Sequence, residues 1–359
     1  MRMIPLAKPQ ISWRERSAVI KVLKSSSLAQ GPEVMAFEKE FSKIVGDRDC
    51  VAVNSGTSAL HLSLIALGIT ENDEVIVPSF TFAATANVVA LVGAKPIFID
   101  IDPKTYCMDP TAMAKAITKK TKAVIVVHLY GLPANMNQIM QIANKNSLYV
   151  VEDAAQAHLA SINNQNVGTY GDAAAFSFYP TKNMTSGEGG MIVLKNSTNA
   201  RLCRLLRNQG METRYQNEIV GFNLRMTDIH AAIGRCQLKK LSEATDKRIK
   251  NAQFLSSNLN CDTLPFVPEG YKHVYHQYTV RIVIKRDTFS KLLREKGVGN
   301  DVYYPTPVHR LPSFNFKIKL PNTISASKEV LSLPIHPSLS KRQLRKIVDS
   351  FNKIQEEVY

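Results

Sequence analysis

AVIVVHLY (residues 123–130) is apolar at each of its first five positions. A strand with one wet face alternates apolar and polar residues. A run without alternation is the mark of a strand buried on both faces, as in a parallel sheet covered by helices. Outward from this run, EVIVPSF (74–80), KPIFIDID (95–102), SLYVVED (147–153), AAAFSFY (173–179) and GMIVLK (190–195) read as further strands. Helical patterns occupy 56–67, 82–92, 109–118 and 135–146 between them. The alternation predicts an α/β domain with a mostly parallel sheet flanked by helices. Strand order is not legible. From 227 to 258 the pattern is helical; HQYTVRIVI (276–284) reads as a strand, and 287–296 and 341–354 as helices. The chain has 359 residues, more than one core usually fills. Residues 1–240 therefore read as a large domain and 241–359 as a smaller C-terminal α+β domain.

The formal net charge is +15. The positive residues are scattered, with only short clusters such as ITKKTK (117–122) and KRQLRK (341–346). Neither an aromatic-interleaved basic stripe nor zinc-finger spacing accompanies them, which argues against nucleic acid. A solvated basic surface, or a field that draws in phosphorylated ligands, fits better. Five dispersed cysteines without a CxxC pair predict reduced thiols, no structural metal and a cytoplasmic setting. MRMIPLAKPQ lacks the apolar core of a signal peptide. The most hydrophobic stretch, 75–101, is interrupted by Pro78, Asn87, Gly93, Lys95 and Pro96, so no membrane insertion is expected.

Three fragments fall where ligands of such sheets collect, beyond the carboxyl ends of strands. NSGTSALHLSLIALG (54–68) opens with small polar residues and continues as a helix with Ala59, Leu60, Leu64 and Leu67 on one side. Free amides at Gly56, Thr57 and Ser58 would make an anion site. Simple capping by Ser55 or Thr57 accounts for the same residues. VVEDAAQAH (150–158) ends a strand in Glu152 and Asp153, with Gln156 following; a carboxylate there either meets a cation or caps a helix. FSFYPTKNMTSGEGG (176–190) sets Lys182 between Phe176, Phe178 and Tyr179 on one side and a glycine-rich turn on the other. Partial burial there would lower the lysine pKa, as attack on a carbonyl requires; a solvated surface lysine is the alternative.

Together these fragments supply a lysine, a carboxylate and a helix N-terminus, the parts of a pyridoxal phosphate site. They also carry a resemblance. GPEVMAFEKEF (31–41), NSGTSALHL (54–62), DEVIVPSFTFAATAN (73–87), GAKPIFIDIDPKTY (93–106), TKAVIVVHLYG (121–131), VEDAAQAH (151–158), FSFYPTKNMTSGEGG (176–190), GFNLRMTDIHAAIG (221–234) and LPIHPSLS (333–340) follow one another as in the DegT/DnrJ/EryC1/StrS family of sugar aminotransferases. The resemblance covers nearly the whole chain. It implies the type I fold of pyridoxal-phosphate-dependent transferases, with a mostly parallel seven-stranded sheet in the large domain.

By that resemblance Lys182 matches the Schiff-base lysine and Asp153 the partner of the pyridinium nitrogen. Gln156 matches the ligand of the phenolic oxygen, and Phe82 the aromatic stacked on the ring. Gly56, Thr57 and Ser177 match phosphate ligands. Asn223 matches a phosphate ligand given by the neighbouring subunit, which implies a homodimer with shared active sites. The implied reaction moves an amino group, usually from L-glutamate, to a keto group of a nucleotide-linked sugar, for surface polysaccharide or natural-product glycosides. Tyr304, His309 and Arg225 are further candidates near the sugar or nucleotide. Leu159 and Asn135 depart from the family pattern, which commonly has glycine and aspartate there; both read as packing or surface variation. A related sugar dehydratase replaces the lysine, typically with histidine, so Lys182 argues against it. A regulatory member that has lost catalysis would not be expected to keep the whole set.

Overall fold

The apolar runs pair into one sheet with helices on both faces. This computed structural model describes residues 3–358. Its strands are β1 (Asp49–Val53), β2 (Glu74–Pro78), β3 (Lys95–Ile99), β4 (Thr121–Val127), β5 (Tyr149–Asp153), the short β6 (Ser161–Ile162) and β7 (Gln165–Asn166), then β8 (Ala173–Ser177) and β9 (Gly190–Leu194). The seven-stranded sheet has the order β1-β9-β8-β5-β4-β2-β3. Only β9 runs antiparallel to its neighbours, β1 and β8. Successive residues of β4 explain the unbroken apolar run: Ile125 joins the core on one face, Val124 and Val126 the core on the other. Strand β1, DCVAV, is not among the runs read from sequence; its short apolar stretch stands directly behind Asp47, Arg48 and Asp49.

Helices α1 (Trp13–Ser25) and α2 (Pro32–Ser42) precede the sheet, and α3 (Gly56–Ala66), α4 (Ala84–Leu91), α5 (Pro110–Ala116) and α6 (Met136–Lys145) link its strands. The sequence predicts one apolar side for α3, but Leu60, Leu62, Ser63 and Leu64 are all buried. The helix is enclosed by the sheet, α4 and α7 (Ser197–Arg207), so no face needs to be polar. After α8 (Asp228–Leu238) and α9 (Leu241–Asn258) come β10 (Tyr271–Lys272), β11 (Tyr278–Arg281), α10 (Arg286–Glu295), α11 (Pro321–Glu329), β12 (Val330–Leu333) and α12 (Lys341–Val358). Tyr278, Phe289, Leu331, Ile347 and Phe351 form a core there, joined by Ile4 from the N-terminal arm. Val308 and Leu320 instead return to the core of the large sheet. No helix among the described residues is long and apolar enough to cross a membrane.

Both departures from the family pattern have a local account. Leu159 holds φ at +64°, the left-handed region that glycine enters without cost. Asn135 caps α6, its side chain accepting from the Gln138 amide as an aspartate would.

The two carboxylates ending β5 face opposite ways, because strand side chains alternate. Glu152 is completely buried. It accepts from the amides of Gly168 (2.7 Å), Tyr170 (2.9 Å) and Gly171 (2.8 Å) and from His128 Nε2 (3.0 Å). His128 Nδ1 accepts from the Ala134 amide, which leaves Nε2 as the donor. Burial pushes the Glu152 carboxyl up, but His128 and these amides pull it below the ordinary range. Glu152 thus fixes the loop before β8 and leaves Asp153 alone on the site side. Glu152→Ala should cost about 3–5 kcal/mol in urea unfolding at pH 7, because it orphans four donors. Since the folded-state pKa is depressed, this stabilisation is complete above the unfolded value and fades as pH falls through the folded one. A wild-type midpoint in the variant at pH 7 would contradict this role.

Candidate active site

Asp153, Ser177 and the N-terminus of α3 meet at one end of the sheet, each placed there by a strand tip. Asp153 is 7% exposed. The Thr85 hydroxyl, on α4, donates to its Oδ2 at 2.8 Å, and the Ala155 amide to its Oδ1 at 3.2 Å. No helix follows, since 154–160 is a chain of turns, so the capping alternative reduces to the local bond from Ala155. Burial raises the carboxyl pKa against the pull of Thr85, Ala155 and Lys182. No ion pair to Asp153 forms among the described residues. A buried carboxylate left in this state is a strong point of attraction for a cationic group.

Lys182 lies in the loop between β8 and β9. The loop is held by its amide on the Tyr179 carbonyl (3.0 Å) and the Ser186 amide on the Phe178 carbonyl (3.0 Å). Desolvation lowers the amine to about 8, opposed by the field of Asp153. The expected aromatic wall is not the cause. Phe176 and Phe178 point to the opposite side and pack on α2, with ring centroids 5.1 Å apart for Phe41–Phe176 and Phe37–Phe178. Tyr179 is 48% exposed. The surroundings of Lys182 are instead buried histidines. Burial and then the Lys182 charge lower His158 to about 3, and the same two causes hold His276 well below its ordinary value.

Gln156 sits beside Asp153. Its Oε1 accepts from the Tyr130 amide (2.7 Å) and its Nε2 donates to the Tyr304 hydroxyl (3.0 Å). One Nε2 hydrogen is left for a ligand. Tyr130 in turn donates through its hydroxyl to the Tyr303 carbonyl, tying the 303–304 segment over the site. Phe82 is 59% exposed, its ring 6.1 Å from that of Tyr304.

At the start of α3 the two readings coexist. Ser55 caps the helix through the Ser58 amide (3.1 Å), while the Gly56 and Thr57 amides have no partner among the described residues. A Cβ on Gly56 would lie 2.8 Å from the Ser177 Cβ, so glycine permits the helix to abut the tip of β8. A Cβ on Gly190 would lie 2.3 Å from the Ser55 carbonyl oxygen. The SGEGG turn thereby lets β9 pass directly under the amides.

Lys182, Asp153, Gln156, Gly56, Thr57, Ser177 and Phe82 are thus gathered at one end of the sheet. Asn223 is not among them: it is exposed, bridged only to Asn208. Arg225 pairs with β1 at Val53 and donates to Asn208, and His309 is buried against Ser79 beyond β2, so both have structural partners. Thr85 and Tyr130 are absent from the residues read in the sequence. Thr85 is carried in the FTFAAT stretch with Phe82, but its contact with Asp153 spans 68 residues. The free helix amides, the unpaired carboxylate, the desolvated amine and the exposed ring suit a phosphorylated aldehyde with a protonated ring nitrogen.

Comparison with known proteins points the same way. The profile of the DegT/DnrJ/EryC1/StrS aminotransferase family matches residues 9–352. UDP-N-acetyl-3-dehydro-α-D-glucosamine 3-aminotransferase of Acidithiobacillus ferrooxidans is 41% identical over 332 residues, 91% of this chain and 90% of the relative. DesV of S. venezuelae, solved in complex with a ketimine intermediate, superposes with a TM-score of 0.96 at 35% identity over 100% of both chains. Spr1654 from Streptococcus pneumoniae, solved in a PLP form, gives a TM-score of 0.95 at 26% identity over 99% of this chain and 100% of that one.

The lysine environment predicts a pH profile. In the cofactor-free protein, reductive trapping of an aldehyde on Lys182 should rise with pH and level off above about 8, as the amine loses its proton. A profile still climbing toward the ordinary lysine value of roughly 10.4 would contradict the desolvated site.

Proposed function

The chain belongs to the DegT/DnrJ/EryC1/StrS aminotransferase family, and on that footing we propose that it transfers an amino group from L-glutamate to a keto group of a nucleotide-linked sugar. Pyridoxal 5′-phosphate is its cofactor. Bound, it supplies the electron sink for the carbanion made when a proton leaves the substrate carbon. The observation that carries the reading is the desolvated Lys182 amine facing the buried, cation-free Asp153.

Asp153 holds the proton on the ring nitrogen, and its burial makes the pairing strong. Lys182 would hold the cofactor, and its amine, lowered to about 8, would take and return the proton at the substrate carbon near neutral pH. The Gly56 and Thr57 amides and the Ser177 hydroxyl hold the phosphate. The free Nε2 hydrogen of Gln156 would bond the phenolic oxygen, and the exposed Phe82 would pack against the ring. Asn223, exposed and away from its own cluster, reaches the phosphate of the neighbouring subunit in a homodimer. The net charge of +15 attracts a diphosphate-bearing acceptor. A dehydratase reading loses support from Lys182 itself.

The purified protein should show a visible absorbance band that L-glutamate bleaches. A coupled 2-oxoglutarate assay across nucleotide keto-sugars then identifies the acceptor. Lys182→Ala should lose on the order of 10²–10⁴ in turnover, the usual worth of a positioned acid–base group. Near-wild-type transamination by Lys182→Ala would defeat the assignment. Mixing Lys182→Ala with Asn223→Ala dimers should restore activity that neither has alone, because one hybrid site recovers both residues. No recovery would sink the role of Asn223.

A further inference from the structure

Beside the Lys182 loop lies a recess whose lining carries four cations, Lys8, Lys182, Lys240 and Arg248, and no acid. The N-terminal arm forms one edge. Its Gln10 carbonyl accepts from Gln237 Nε2 (2.8 Å) and Lys240 Nζ (3.4 Å), which holds the arm and its Lys8 at this edge. Lys240 is spoken for by Glu15. Lys8, Lys182 and Arg248 form no ion pair among the described residues.

Arg248 is the unusual member. It is 6% exposed, its Nη1 donates to the Tyr275 carbonyl (3.1 Å), and its Nε has no partner. A buried guanidinium with an unused donor is costly unless an anion meets it. Burial alone lowers it to about 10, which still leaves it charged at neutral pH. Two buried histidines mark out the field. Burial, then Lys182 and Arg248, hold His276 neutral; burial, then Arg248 and Lys8, lower His336 to about 4. Arg248 therefore acts on both histidines, joined by Lys182 at His276 and by Lys8 at His336. No aromatic ring lines it, so it offers a nucleobase nothing to stack on.

We propose that this recess is a carboxylate subsite for the amino donor: Arg248 binds the carboxylate remote from the reacting amine, and Lys8 attracts it at the mouth. This rests on the transaminase reading. It gives the donor's two ends separate partners, the amine at Lys182 and the far carboxylate at Arg248. It also selects a dicarboxylic amino acid over one with an apolar side chain, which would leave the guanidinium buried and unpaired.

The test uses the holoenzyme and follows loss of the visible band with L-glutamate, giving an apparent Kd and a limiting rate. UDP binding, by calorimetry, serves as the control anion. In Arg248→Gln the Kd for L-glutamate should rise roughly tenfold or more, as expected for a lost charge-assisted hydrogen bond, with UDP affinity unchanged. Lys8→Gln should raise it by a smaller factor and blunt its salt dependence. L-Alanine should gain relative to L-glutamate in both variants, a change that mere loosening of the fold would not produce. If Arg248→Gln does not fold by circular dichroism, Lys8→Gln on the exposed arm decides alone. Glutamate affinity within twofold of wild type in the folded variants overturns the subsite. Weakened UDP binding with glutamate unaffected assigns the recess to the acceptor and overturns it equally. A wild type with no visible band, or one that L-glutamate does not bleach, fails the transaminase reading itself.

Discussion

A carboxylate buried without a cation is the constraint around which the rest is arranged. Asp153 has a hydroxyl and an amide as donors, with the fields of Lys182 and His128 as further compensation. Left so, it is held above its ordinary pKa, and the amine facing it is held below its own. Each group is in the state that the other alone does not relieve, because burial acts on both. A protonated heteroaromatic ring placed between them would relieve the carboxylate and still leave the amine free to react.

That arrangement depends on strand alternation. Glu152 and Asp153 are neighbours with opposite fates: one is saturated by three loop amides and His128, the other is kept free for the site. The parallel core of the sheet then sets Asp153 opposite Ala175, two residues before Ser177, and the antiparallel β9 closes the gap to β1. Without a Cβ at Gly190, β9 passes beneath Ser55 and holds the α3 amides against the tip of β8.

The positive charge of the chain also acquires a location. Most basic residues lie on a solvated surface, where screening leaves them little individual effect. Arg248 does not: it is enclosed, without an acid, on the wall of a recess shared with Lys182. Its Nη1 is engaged by the Tyr275 carbonyl, but its Nε is left without a partner.

Six of the seven sheet strands and four linking helices were legible in the chain, because both-face burial writes unbroken apolar runs; the residues gathered around Lys182 were legible through the resemblance of their motifs to a family. Strand β1 was not, its short apolar stretch standing directly behind Asp47, Arg48 and Asp49. The aromatic wall of Lys182 was misread for a related reason: spacing puts Phe176 and Phe178 near the lysine in sequence, and only the packing of α2 decides which side they take. Thr85, Tyr130 and Arg248 were invisible, since each matters through a partner distant along the chain. The sequence by itself determined the class of fold, because that follows from periodicity, and it named the residues able to do the chemistry through their resemblance to a family pattern. The tertiary structure decided which carboxylate stays unpaired and which cation is buried without an acid, because desolvation depends on everything that packs around a group.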